Sequence, residues 1–322
     1  MKKTPDFWKK FKKVCVKYEG NPILTKDDVP YPCECVYNSG AVKYKGKYIL
    51  LLRVLLLDGN CVFGLAESDD GFNFTVRPEP VMVPATDGPF AMYESKGIED
   101  PRVTYVPEDD CYYIFYSAYS IYGMRIGLAK TKDFEKFERI ALTTTSDYRN
   151  SVLFPEKING RYVRFERPNV HPWGIWISYS PDLIHWGDQK LLITPYGKNI
   201  WEDHKVGAGA PPIKTEKGWL SIYHATTATM DGMTYRLGVA LHDLKDPSKV
   251  IGVANQFILA PDQPHELTGY VHNVVFTCGA IPEDDGTVKI YYGGADTNMN
   301  VAIAKIDDLI NLCLTNPRPP LG

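Results

Sequence analysis

Short runs rich in Val, Ile, Leu, Tyr and Phe recur along the whole chain, each broken by Gly, Asn, Asp or Pro. That pattern predicts many antiparallel strands joined by tight turns. The longest apolar stretch, Tyr48 to Leu57, is interrupted by Arg53; it is too short to span a bilayer and reads as a buried strand. Helical periodicity is scarce. Its best instance is Asp6 to Val14, where Phe7, Trp8, Phe11 and Val14 share one face beneath a lysine-rich one, so a short N-terminal helix is expected there.

One unit comes back along the chain: a strand with small residues, a polar turn carrying Asp, and often an aromatic. It reads Phe63-Gly-Leu-Ala-Glu-Ser-Asp-Asp70, Ile126-Gly-Leu-Ala-Lys-Thr-Lys-Asp133 and Ile175-Trp-Ile-Ser-Tyr-Ser-Pro-Asp182, with looser copies at Leu237 to Asp243 and Val301 to Asp307. The aspartates at 70, 133, 182, 243 and 307 are spaced by 63, 49, 61 and 64 residues, which suits four strands and generous loops per copy. Five copies predict an all-β, five-bladed β-propeller that occupies residues 1–322 as one domain; a β-sandwich with accidental self-similarity is the alternative. Two further strands precede each copy, for example Arg102 to Val106 and Cys111 to Tyr119, or Val152 to Ile158 and Arg161 to Glu166.

Polar residues gather just before the first strand of a blade and just after its second, two positions that share one end of an antiparallel pair. The first set is Asn38, Ser39, Glu99, Asp100, Arg102, Arg149, Asn150, Lys205, His272 and Asn273; the second is Arg53, Tyr119, Arg167, His224 and Asp296. On a propeller all of them converge on one mouth of the central channel, the candidate site. Carboxylates, arginines, a lysine, a histidine and amides together suit a ligand with many hydroxyls and a group of concentrated negative charge. Arg149 and Arg167 enter from one blade and could grip an anion from two sides, unless Glu156, Glu166 or Asp147 neutralises them. Asp100, before Pro101, either does chemistry or only pairs with Arg102. Trp173, Trp201 and Tyr235 are candidates for stacking on sugar rings.

Composition changes this picture little. Apolar residues make up 44% and charged residues 23%, with a net charge of -3, so neither nucleic acid nor an anionic membrane is expected as a partner. Lys2 to Lys13 are followed by no apolar segment or small-residue cleavage site, and a cytoplasmic location is expected. The seven cysteines are odd in number and scattered; they predict buried, reduced thiols, with no disulfide framework, metal site or cofactor.

At these residues the chain resembles glycoside hydrolase family 130, the β-mannoside phosphorylases. The resemblance runs from Asn21-Pro-Ile to Asp296 through Asn38-Ser39, Glu99-Asp100-Pro101-Arg102, Arg149-Asn-Ser-Val-Leu-Phe-Pro155, Lys157-Ile-Asn-Gly-Arg161, Arg167-Pro168, Lys205-Val-Gly-Ala-Gly209, Tyr223-His224, Asn273-Val-Val-Phe276 and Tyr291-Tyr-Gly-Gly-Ala-Asp296. It implies a five-bladed propeller and Asp100 as the single general acid, protonating through the 3-hydroxyl of the bound mannose. Inorganic phosphate, the co-substrate, would attack from the opposite face and give α-mannose 1-phosphate with inversion. Arg149, Arg167, His224 and Tyr235 match phosphate-holding positions; Asn38, Ser39, Arg53, Asn150, Lys205 and Asp296 match sugar-binding or site-shaping ones. Pro168-Asn-Val-His-Pro-Trp-Gly174 is shorter than the corresponding segment of several mannosyl-glucose phosphorylases, and Gly97-Ile-Glu-Asp-Pro-Arg102 looks more like members acting on β-1,2-linked mannobiose or oligomannans.

Two rival readings stay open at this stage. One is a hydrolase, whose extra carboxylate would come from Glu99, Asp203 or Asp296. The other is a propeller that binds carbohydrate without chemistry. Self-association is also left open.

Overall fold

The computed structural model describes residues 11–197, 201–230 and 232–318. Their strands form five separate antiparallel sheets, the five blades expected from the repeat. The first blade holds β2 (Cys33–Tyr44), β3 (Lys47–Leu56), β4 (Cys61–Ser68) and β5 (Thr75–Val76); the second holds β6 (Ile98–Val106), β7 (Cys111–Ser120), β8 (Gly123–Thr131) and β9 (Glu138–Leu142). The third contains β10 (Tyr148–Leu153), β11 (Tyr162–Pro168), β12 (Ile175–Ser180) and β13 (Gly187–Ile193). In the fourth, β14 (Lys205–Ala208) and the short β15 (Ile213–Thr215) both pair with β16 (Gly218–Thr229), followed by β17 (Gly232–His242) and β18 (Val250–Val253).

The fifth blade closes the ring. It runs β19 (Val275–Pro282), β20 (Thr287–Gly294) and β21 (Asn298–Lys305), and its fourth strand is β1 (Cys15–Lys17) from the other end of the chain. Cys15 pairs with Ala304 and Lys17 with Ala302, so one blade is built from both ends and the ring has no loose seam. The helix expected over Asp6 to Val14 lies mainly outside the described residues, and residues 11–14 run into β1 without helical structure.

The recurring unit is the third strand of each blade, and its residues have identifiable jobs. Gly127 lies directly opposite Tyr116, and Gly238 opposite Tyr223, across the β7–β8 and β16–β17 pairs. Each tyrosine ring fills the space a Cβ would need. The Asp after the strand caps the turn: Asp70 Oδ1 accepts from the N–H groups of Phe72 and Asn73, Asp133 from Glu135 and Lys136, Asp182 from Ile184 and His185, and Asp243 from Lys245 and Asp246. These are Asx turns, which explains why Asp recurs there. Asp307 departs from the rule and opens the C-terminal helix Ile306–Thr315, whose Leu309, Ile310, Leu312 and Cys313 pack on the fourth and fifth blades.

The core is a set of apolar wedges between neighbouring blades, such as Leu50, Leu52 and Val54 against Tyr291, Met299 and Val301. The connectors into three blades are pinned by wholly buried glutamates. Glu94 accepts from Tyr116 and Arg139, Glu202 from Tyr223 with Arg318 beside it, and Glu266 from Tyr292 and Lys17. All seven cysteines are free, six of them buried.

The Gly–Tyr fit gives a direct test. Gly127→Ala forces the Tyr116 ring away from Glu94 and is expected to lower unfolding stability by about 2 kcal/mol or more, measured by urea denaturation. An unchanged midpoint would mean the ring has room to spare.

Candidate active site

Of the polar residues expected before the first strands, His272 and Asn273 do precede β19; the others lie within β2, β6, β10 and β14. In β2 the register shifts between Tyr37 and Gly40, in β6 between Glu99 and Arg102, and in β10 between Arg149 and Val152. Each shift contains one residue in the left-handed region: Asn38 at φ 49°, Asp100 at φ 51° and Asn150 at φ 57°. Asn and Asp tolerate that conformation better than other residues with a Cβ, and a bulge re-aims a side chain that a regular strand would place elsewhere. The same device thus presents an amide, an acid and an amide from three successive blades.

Asp100 is buried, and only one of its oxygens is held within the protein. Arg53 Nη1 donates to Oδ1 at 2.9 Å and Asn38 Nδ2 donates to the same oxygen at 3.1 Å. Oδ2 has no partner among the described residues. Burial pushes the carboxyl up, but Arg53, Arg102 and the two side-chain hydrogen bonds outweigh it and hold it below the ordinary value. Two more carboxyls surround Arg53. Glu99, paired to Nη2 at 2.9 Å, is raised by burial and by Asp100 against the pull of Arg53. Asp296, in the turn between β20 and β21, is pushed up to about 7, chiefly by burial, with Asp100 and Glu99 adding to it.

Across from the acid stand Arg149, Arg167 and Lys205, none of them ion-paired among the described residues. Arg149 and Arg167 face each other directly across β10 and β11, a placement of like charges that destabilises a sheet. Arg167 is 5% exposed, and its Nε and Nη1 have no hydrogen-bond partner among the described residues. Burial, then Arg149, lower its pKa to about 10. Lys205 is lowered by burial and by the same two arginines. Burial, then Arg167, Arg102 and Lys205, push His224 well below the ordinary imidazole value, against a backbone contact at Ala208. The acids that could have neutralised the arginines are engaged elsewhere: Glu156 with Lys214, Glu166 with Arg164, and Asp147 with the Met124 N–H and Asn169 Nδ2.

Asp100, Arg149, Asn150, Arg167, Lys205, His224 and Tyr235 all line one cavity of about 330 Å³. Asn38 and Arg53 hold Asp100 from outside that lining, and Asp296 joins them through Arg53. Ser39 is wholly buried with its hydroxyl unpartnered. Other candidates fall away. His272 is exposed, Tyr119 lies beneath Lys96, and Trp201 is 3% exposed in the core against Tyr223, so Trp201 cannot stack on a sugar. Trp173 remains near the mouth, under Lys205 and beside the exposed His171. Met124, Asn169 and Met233 also line the cavity; they sit on or beside turns, and their residue types carry no chemical signal. A larger cavity, about 440 Å³, lies beside β1 on the fifth blade, and there Lys17 and Asp262 pair with each other.

The family profile described as beta-1,4-mannooligosaccharide phosphorylase matches residues 11–315. The chain belongs to glycoside hydrolase family 130. Among similar family 130 proteins, a 1,2-beta-oligomannan phosphorylase from Thermoanaerobacter sp. is 38% identical over 89% of this chain and 95% of its own. A beta-1,4-mannooligosaccharide phosphorylase from Ruminococcus albus is 34% identical over 93% and 91%. The structure of the beta-1,2-mannobiose phosphorylase from Listeria innocua, bound to beta-1,2-mannobiose, superposes with a TM-score of 0.84 at 32% identity, covering 94% of this chain and 99% of that one. The five-bladed propeller is thus shared with a solved member of family 130.

The facing arginines predict a trade between stability and binding. Arg167→Met removes a buried, unpaired charge, so the ligand-free protein is expected to melt roughly 2 °C higher or more. Inorganic phosphate should raise the Tm of the native protein and leave that of Arg167→Met unmoved. A lower Tm with phosphate stabilisation intact would show that Arg167 is a structural residue.

Proposed function

We propose that this family 130 chain is an inverting phosphorylase that cleaves a β-mannoside, β-1,2-mannobiose or β-1,2-oligomannan, with inorganic phosphate to give α-mannose 1-phosphate, and runs the reaction in reverse. The observation that carries this reading is the cavity itself, where one carboxyl shares the lining with cations that have no ion-pair partner among the described residues. An inverting hydrolase needs a second carboxylate to activate water, whereas phosphate is already an anionic nucleophile and needs only positioning and charge neutralisation. In this reading Arg149 and Arg167 supply the charge, and His224 and Tyr235, which line the same cavity, donate hydrogen bonds to phosphate oxygens. The carboxylates a hydrolase would need are poorly placed as bases: Asp203 is exposed, Glu99 is bound to Arg53, and Asp296 clusters with Asp100 around the same arginine.

In this reading Asp100 donates from Oδ2, the oxygen not held by Arg53 and Asn38, with the proton passing through the 3-hydroxyl of the bound mannose. The acid is ionised in the empty site, and the negative charge of phosphate in the same cavity raises its proton affinity. Phe276, packed on His224 at 4.5 Å between ring centres, gives the anion pocket an apolar wall that strengthens its electrostatics. Asn38, Ser39, Arg53, Asn150, Lys205 and Asp296 shape the sugar side. The similarity to phosphorylases of β-1,2-linked mannosides supports that linkage. We assign the reaction to cytoplasmic carbohydrate metabolism, without a metal or cofactor, because the cations of the chain itself meet the charge of phosphate.

Incubation with β-1,2-mannobiose and phosphate is expected to yield α-mannose 1-phosphate and mannose, and no product without phosphate. Release of free mannose in phosphate-free buffer would point to hydrolysis instead. Asp100→Asn should lower turnover by about a hundredfold or more and leave phosphate binding in place; unchanged turnover would remove Asp100 from the proton step.

A further inference from the structure

Lys205 stands among like charges without an acid to hold it. It lines the same cavity as Arg149 and Arg167, and burial, then those two arginines, lower its pKa. Its backbone N–H donates to Thr226 Oγ1 at 3.0 Å, but its Nζ makes no hydrogen bond or ion pair among the described residues. A half-buried lysine beside two arginines gains by turning out to water, where the ammonium is solvated and the repulsion is screened.

One contact opposes that. The ammonium lies over the Trp173 ring, 5.4 Å from its centre, within the range in which an aromatic face attracts a cation. Trp173 comes from the β11–β12 loop of the third blade and Lys205 from the first strand of the fourth, so the contact spans two blades. The indole is itself held. The Trp173 carbonyl accepts from the Val206 N–H at 2.9 Å, and the ring packs on His171 at 4.3 Å and His204 at 4.8 Å between ring centres.

We propose that Trp173 is a positioning residue: its ring holds the Lys205 ammonium at the cavity wall and, carrying no net charge, leaves the cation available to the ligand. This rests on the phosphorylase reading above and deepens it. A carboxylate could fix the same ammonium, but it would neutralise it and repel phosphate entering the cavity. The ring quadrupole attracts the cation and leaves the total charge of the site unchanged. The ammonium then keeps its donors for sugar hydroxyls. The indole acts through Lys205 and not by stacking on a sugar, the role that its residue type suggests.

Carbon-13 labelling of the lysines in the ligand-free chain reads this contact directly. Protons above an aromatic face resonate upfield. The Lys205 ε-methylene signal, identified by its absence in Lys205→Met, should therefore move downfield in Trp173→Leu and keep part of its displacement in Trp173→Phe. Should Trp173→Leu not fold, the Phe variant decides by a smaller shift in the same direction. At about pH 8, where imidazoles of ordinary pKa are uncharged, Trp173→Leu should lower kcat/KM for β-1,2-mannobiose at saturating phosphate roughly three- to tenfold. Trp173→Phe should recover most of that loss. In the Lys205→Met background Trp173→Leu should change kcat/KM by less than about twofold. A Lys205 signal that does not move overturns the proposal, as does an equal loss with and without Lys205, which would mean that the indole meets the ligand itself. The labelling measurement needs no turnover, so mannose release without phosphate would sink the phosphorylase reading and leave the Trp173–Lys205 contact to be judged alone.

Discussion

Arg102, 1% exposed on the innermost strand of the second blade, ties the two sides of the site together. Its Nη1 donates to the Asp100 carbonyl at 3.0 Å and its Nη2 to Asn150 Oδ1 at 3.2 Å, while Nε reaches the Gly209 carbonyl at 2.9 Å. One rigid, planar group therefore joins the bulge that carries the acid, the bulge beside Arg149 and the first strand region of the fourth blade. A buried guanidinium is costly unless its donors are met, and here the carbonyls that meet them belong to separate sheets. The separation between acid and anion pocket thus depends on a fixed covalent shape rather than on loop conformations.

Around that strut the site divides into two electrostatic regimes. On one side three carboxyls crowd around Arg53, and one of them, Asp296, is raised to about 7, chiefly by burial. On the other, Arg149 and Arg167 stand opposite each other across β10 and β11, with no acid in hydrogen-bond contact with either among the described residues. The cationic half is unfavourable alone, and an oxyanion bound there would offset its charge. The fold holds this strain because the rest is closely packed: apolar wedges between blades, Gly–Tyr contacts within them, and a last blade closed by residues from both ends of the chain.

The sequence by itself determined the number of blades and the chemistry of the site. Blade count was legible because the third strand carries small residues and, in four of the five copies, is followed by an Asp that caps a turn, a local requirement met within a few residues. The site chemistry was legible because acids and arginines at strand starts and ends have few other reasons to collect. Only the tertiary structure decided which of them act together. The bulges that place Asn38, Asp100 and Asn150 inside strands are backbone geometry, invisible in residue type. The pairing of β1 with β21 joins residues nearly a chain length apart, and the burial of Trp201, the sharing of Arg53 by Glu99 and Asp100, and the entry of Met124, Asn169 and Met233 into the cavity follow from ring closure. Local patterns report what each residue needs from its immediate neighbours, whereas charges and cavities are set by partners from other blades, which meet only once the ring has formed.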